Sequence, residues 1–169
     1  MMNANTFQAR DNASSEAAQP YAGIGLAIIR LTIGCMFVSV FFENRGKGLY
    51  TPAVYAGLID QYIQQGHSPA VWKSFMGLAA SHASLAAPLQ GLTEISLGVL
   101  LLLGLFTRPA GLVAFGWLGS LWISELGIGW IWELLPPTLA CLALSVGSAG
   151  RTWGLDSLLA RRNPSSLFW

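Results

Sequence analysis

The chain has 169 residues, 53% of them hydrophobic and 10% charged, with a formal net charge of +1 and a mean hydropathy of +0.53. Soluble domains carry about 25% charged residues, so the composition predicts an all-α protein held in a bilayer. A net charge near zero gives no footing for nucleic-acid binding.

Residues 1–20 are polar and rich in Ala, Ser and Asn. They lack the basic start and apolar centre of a secretory signal, and are read as a flexible cytoplasmic tail. A first span follows over residues 21–42, long enough to cross about 30 Å of hydrocarbon. Arg30 falls inside it, on a face shared with Gly34, Phe37 and Phe41.

The connection from residue 43 to 84 is long but patterned. Apolar residues at helical spacing predict two short amphipathic helices, over 52–65 and 69–80, lying at the membrane surface as a cap. Three further spans are predicted over 85–106, 109–126 and 130–147, giving a four-helix transmembrane bundle. Residues 151–169 form a second cytoplasmic tail. The membrane domain thus covers 21–150.

If the N-terminus is cytoplasmic, Arg10, Arg108, Arg151, Arg161 and Arg162 lie inside, and Arg45, Lys47 and Lys73 outside. That balance favours an N-in, C-in multi-pass topology in a bacterial or archaeal inner membrane. Trp117, Trp122, Trp130 and Trp132 gather toward the outer end, as an aromatic belt would. Cys35 and Cys141 sit in apolar helices and are read as small hydrophobes. Gly116, Ser120 and Ser124 make a small-residue stripe on the third span, suited to close helix packing within the bundle or between copies.

Charge inside a span costs a few kcal/mol, so it marks sites worth inspecting. Arg30 and Glu94 each fall about nine residues into a predicted span, which places both near mid-membrane. Gln90, Gly91 and Gly98 share the face of Glu94, and the glycines allow that face to approach the Arg30 face. An Arg30–Glu94 ion pair is expected, serving as a structural lock, a polar ligand or proton site, or both. Glu43, Glu125 and Glu133 fall at outer span ends, with Lys47 close by and His67 and His82 in the connection. They are either side chains solvated at the membrane surface or, if clustered, a second candidate, an outer ligand or proton site. Pro136-Pro137 frees the carbonyls of Trp132 and Glu133 and predicts a kink.

No metal site, haem pair, CxxC, P-loop or dinucleotide fingerprint is visible. No tightly bound cofactor is expected, and redox work would need a diffusible carrier or a partner subunit. Three segments carry a family resemblance: Arg30-Leu31-x-x-Gly34 with Gly46-Lys47-Gly48; Glu94-x-x-x-Gly98 followed by Leu102-Leu103-Gly104-Leu105-Phe106-Thr107-Arg108; and Gly150-Arg151 to Leu155-Asp156. In these, residues 22–159 resemble the DoxX-like membrane family, which includes the DoxD-type small subunit of thiosulfate:quinone oxidoreductase. The resemblance implies a four-helix bundle, partner redox subunits and a quinone link, with a quinone headgroup or an oxyanion held by charge-assisted hydrogen bonds. An alternative is a non-catalytic accessory subunit of a larger respiratory or photosynthetic complex. A small transporter is a third reading, supported only by the buried charges.

Overall fold

The computed structural model describes residues 4–168, with side chains from residue 21 onward. The described residues are helical with short links, in the order α1 (Ala4–Gly46), α2 (Pro52–Gln65), α3 (Ala70–Ser81), α4 (Ala83–Leu103), α5 (Thr107–Ser124), α6 (Ile131–Gly147), a 3-10 turn (Ala149–Arg151) and α7 (Asp156–Arg162). The flexible tail expected over 1–20 falls on residues 1–3, outside the described residues, and on the start of α1, whose side chains are not described.

Among the described residues, two helices are long and apolar enough to cross a bilayer: Tyr21–Gly46 within α1, and α4. α5 has 18 residues and α6 has 17, so they are about 27 and 26 Å long. The predicted elements are all present as helices, with shifted ends. α1 continues past Phe42 to Gly46, which brings Glu43 and Asn44 into its last turn. α5 stops at Ser124, so Glu125 lies in the turn that follows rather than in a span. α6 runs unbroken through Pro136 and Pro137, and the Thr138 hydroxyl donates to the Leu134 carbonyl at 2.6 Å.

The bundle is built from two tight pairs, α1 on α4 and α5 on α6, with α1 also touching α6. Small residues make the pairs tight. A Cβ at Gly111 would lie 2.9 Å from the Cys141 carbonyl oxygen, so α5 and α6 meet backbone to backbone there. Gly34 on α1 receives Leu102, and Gly98 on α4 receives Val38. The apolar core between the pairs contains Ile33, Phe37, Leu97, Leu101, Ala114, Leu118 and Leu144. A second core, with Tyr55, Ile59, Met76 and Ala87, fixes α2 and α3 over one end of the bundle. That is the cap end; the α4–α5 link, the 3-10 turn and α7 make the turn end.

Candidate functional site

Helix register decides where the two buried charges go. Gly34 lies against Leu102, and Gly98 against Val38. In this antiparallel register residue 30 is level with about residue 106, and residue 94 with about residue 42. About twelve residues, or roughly 18 Å of helix, therefore separate Arg30 from Glu94. The expected ion pair does not form. Counting in from assumed span ends placed both at one depth, whereas α1 overruns its expected end and α4 stops short of its own.

Arg30 is wholly buried at the turn end. Its Nη1 donates to the carbonyls of Leu101 at 2.6 Å and Leu102 at 3.1 Å, and its Nη2 to that of Trp153 at 2.9 Å. The need for these bonds arises in the chain itself. Only Gly104, Leu105 and Phe106 join α4 to α5, so the unpaired carbonyls of one helix end crowd the unpaired amides of the next. Gly104, at φ 61°, closes a Schellman turn in which Leu105 N donates to the Leu100 carbonyl at 3.0 Å. Arg30 takes the next carbonyls. Leu155 N and Asp156 N donate to the carbonyls of Leu103 and Gly104 at 3.0 and 2.9 Å.

Asp156, also wholly buried, serves the other side of the link. Its carboxylate accepts from Phe106 N at 2.7 Å and Thr107 N at 2.8 Å, capping α5 from nearly fifty residues away. Gly150 leaves the space for it, since a Cβ there would strike Asp156 Oδ2 and Thr107 Oγ1. The segments around Gly104 and from Gly150 to Asp156 are thus two halves of one structural joint. Its charges serve backbone groups.

The cap end is different. Glu94 is 2% exposed. Its carboxylate accepts from Tyr50 Oη at 2.6 Å, Gln90 Nε2 at 2.9 Å and Asn44 Nδ2 at 3.1 Å. Tyr50 reaches it by lying flat on Gly91 and stacking on Phe41, with ring centroids 5.4 Å apart. All three donors are neutral.

Beside Glu94 lies a cavity of about 480 Å³, enclosed by α1, α4, α5, α6 and the underside of α2 and α3. Glu94, Gln90, Asn44, Glu125 and Glu133 line it, with Tyr62, Trp72, Trp117, Ser120 and Ser124; among the described residues no Lys, Arg or His does. Glu125 accepts from Tyr62 Oη at 2.8 Å. Burial pushes the Glu125 pKa up; the Tyr62 hydrogen bond opposes that, and the nearby Glu133 charge adds to it. The Tyr62 hydroxyl is pushed above its usual range by burial and by Glu125. Trp117 Nε1 is buried and has no hydrogen-bond partner.

The cap is latched shut by polar contacts to the end of α5. Ser68 Oγ donates to the carbonyls of Ile123 at 2.8 Å and Ser124 at 3.1 Å, and His67 N to that of Leu126 at 2.6 Å. Trp72 Nε1 donates to Ser124 Oγ at 2.9 Å. Lys73 Nζ joins α3 to α2 through the carbonyls of Ile63 and Gly66, at 2.7 and 2.8 Å.

The structure therefore regroups the candidates. Gln90 and Glu94 join Glu125 and Glu133 around one cavity. Arg30 is at the opposite end. Glu43 and Lys47 pair with each other at 2.6 Å on the surface, where each is nearly two-thirds exposed. His82 is exposed between α3 and α4, with its Nδ1 3.1 Å from the Leu78 carbonyl oxygen. His67 is exposed as well, its ring seated on Gly127 at φ 84°. Sequence reasoning missed Asn44, Tyr62 and Trp117 as cavity groups, and Tyr50 as a donor to Glu94. The one available signal was the spacing of Tyr55, Ile59 and Tyr62 along α2, which marks a buried face but not what its hydroxyls touch.

A family model described as TQO small subunit DoxD matches residues 26–167. No curated protein and no solved structure matches the chain.

Proposed function

The chain belongs to the DoxD family, and from that premise we propose that it is the membrane subunit of a thiosulfate:quinone oxidoreductase whose cap-end cavity binds the quinone headgroup. In this reading α1, α4, α5 and α6 all cross the inner membrane, with both termini inside and the cap outside. The sulfur compound is oxidised on a partner subunit.

The observation that carries the reading is the charge of the cavity. Among the described residues, three carboxylates line it and no basic side chain does. A sulfur oxyanion would meet like charge there, which is costly at low dielectric. A quinone is neutral, and its reduction consumes two electrons and two protons. Glu125, whose burial favours the protonated form, suits the proton half of that reaction. Glu133 is exposed at the cavity's edge and offers an exchange route to solvent. The electrons come from the partner's sulfur substrate. Arg30 takes no part in the chemistry.

The test is thiosulfate-dependent quinone reduction by the complex purified gently in mild detergent. Glu125→Gln keeps the Tyr62 hydrogen bond but cannot carry a proton. We expect turnover to fall by a factor of about 100, the lower range for loss of a general acid–base group, with assembly unchanged. Full turnover in this variant would overturn the reading and favour a scaffolding subunit.

A further inference from the structure

We propose that the turn end of the bundle is a binding surface for anionic phospholipid. Exposed apolar side chains around the α4–α5 link sit among the upper acyl chains, and four arginines beside them take the headgroup phosphates. The inference is independent of what the cavity at the cap end holds.

The platform is fixed by backbone hydrogen bonds. Leu155 N and Asp156 N donate to the carbonyls of Leu103 and Gly104, and the Asp156 carboxylate holds the first amides of α5. α7 packs on the 3-10 turn, so it is tied to the ends of both α4 and α5. Trp153 shows what this arrangement presents outward. Its backbone is left-handed, at φ 53°, a region that a bulky residue rarely occupies. Its carbonyl accepts from Arg30 Nη2 inside the joint, while its indole stays 65% exposed. The joint uses the carbonyl and has no use for the indole. A tryptophan facing outward at the end of a span suits the headgroup level, where one edge of the ring is apolar and the other wet.

Charge and continuity say what covers the surface. Arg108, Arg151, Arg161 and Arg162 all lie at this end, the last two exposed in the final turn of α7. Among the described side chains, the one acid at this end is Asp156, which is wholly buried and turned to backbone amides. The cap end differs, exposing Glu43, Asp60 and Glu133 beside Arg45 and Lys47. The turn end is therefore basic, and it attracts negative charge. Leu103, Phe106, Trp153, Leu155 and Leu158 are exposed there. Leu103 ends α4, a helix of membrane-crossing length whose outward face also carries the exposed Leu92 and Val99. The apolar surface of the turn end thus continues that of a spanning helix. An acidic protein would satisfy the arginines but would have to cover apolar side chains that run on toward lipid. A phospholipid satisfies both, because arginine stems lie along apolar surface and their guanidinium forks reach the phosphate.

The experiment is a native mass-spectrometric titration of the full chain in a neutral detergent. The probes are phosphatidylglycerol, phosphatidylcholine with the same acyl chains, and inorganic phosphate. The wild type should bind phosphatidylglycerol at least about tenfold more tightly than phosphatidylcholine, and added salt should erode that preference. Arg161→Gln/Arg162→Gln should weaken phosphatidylglycerol by at least about fivefold, the worth of one arginine near an anionic lipid surface, and leave phosphatidylcholine unchanged. Trp153→Asn tolerates the left-handed backbone and should weaken both lipids alike. Arg45→Gln/Lys47→Gln, at the cap end, should change neither. All five side chains are exposed, so each variant should melt as the wild type does without lipid. Equal binding of the two lipids by the wild type would overturn the proposal and leave the arginines to an acidic protein. A preference that survives Arg161→Gln/Arg162→Gln, or is lost equally in the cap-end variant, would show that the lipid binds elsewhere. Displacement of phosphatidylglycerol by inorganic phosphate would replace the lipid surface with a free-anion site.

Discussion

Arg30 and Glu125 show how differently two buried ionisable groups can be used. Arg30 is committed to carbonyl oxygens at a helix end. Replacing it by Met would take away the donor that Arg30 supplies to the carbonyls of Leu102 and Trp153, and a positive charge from the neighbourhood of Asp156. Each unmade buried group costs about 1–3 kcal/mol. We expect Arg30→Met to lower unfolding free energy in micelles by about 2–4 kcal/mol, while quinone affinity of the surviving folded protein is unchanged. A large loss of affinity with normal stability would move Arg30 into the site. Glu125, just beyond α5, gives a pH signature instead. Its pKa is raised in the folded state, chiefly by burial, so the folded chain holds a proton that the unfolded chain releases. The stabilisation is complete below the unfolded carboxylate pKa and is lost as pH rises through the folded value. Wild-type stability should therefore fall across that window, and Glu125→Gln should flatten the profile. Melting curves from about pH 4 to 8 read this directly, and parallel profiles would refute it.

At the scale of elements, hydropathy and spacing were enough to find α1, α4, α5, α6 and the two surface helices, because amphipathic and apolar periods depend only on local residues. Register was not readable. Whether Gly34 meets Leu102 or a residue a turn away changes nothing in the local pattern, yet it decides that Arg30 and Glu94 lie far apart. The donors around Glu94 were hidden for a related reason. Tyr50 belongs to the connection and reaches the carboxylate only after α1 and α4 have paired. The cap itself makes a testable element. α2 and α3 rest on α4 by apolar contact, but their hold on α5 is polar and depends on Ser68, Trp72 and His67 N. Removing the Ser68 hydroxyl deprives two carbonyls at the end of α5 of a donor. We expect Ser68→Ala to cost about 1 kcal/mol and to do so locally. Hydrogen exchange should accelerate in α2 and α3 and stay unchanged in α1 and α4. Uniform acceleration would mean that the cap and bundle open as one unit.

On the scale of the whole molecule, the two helix pairs differ in how well each is suited to the bilayer. α1 and α4 have the length and hydropathy to cross it, whereas α5 and α6 are shorter and reach the cap end packed against each other. In the proposed four-crossing arrangement, close pairing lets them share the membrane. Gly111 brings the α5 and α6 backbones together, and the polar ends of α5 are covered by Asp156 at one side and the Ser68 latch at the other. Four crossings, as proposed, would put the cap and the α5–α6 turn on one face, and α7 with Arg161 and Arg162 on the other. Gln65, Trp130 and Ser165 are exposed at these places and can each be replaced by Cys. The native Cys141 is buried, and Cys35, exposed on α1, is replaced by Ala in each variant. In intact spheroplasts a membrane-impermeant maleimide should label Gln65→Cys and Trp130→Cys. It should label Ser165→Cys only after permeabilisation. Labelling at position 65 but not 130 would mean that α5 and α6 fail to cross. Labelling at 165 alone would invert the topology and place the carboxylate-lined cavity on the cytoplasmic side, where its protons would be drawn from the cell interior.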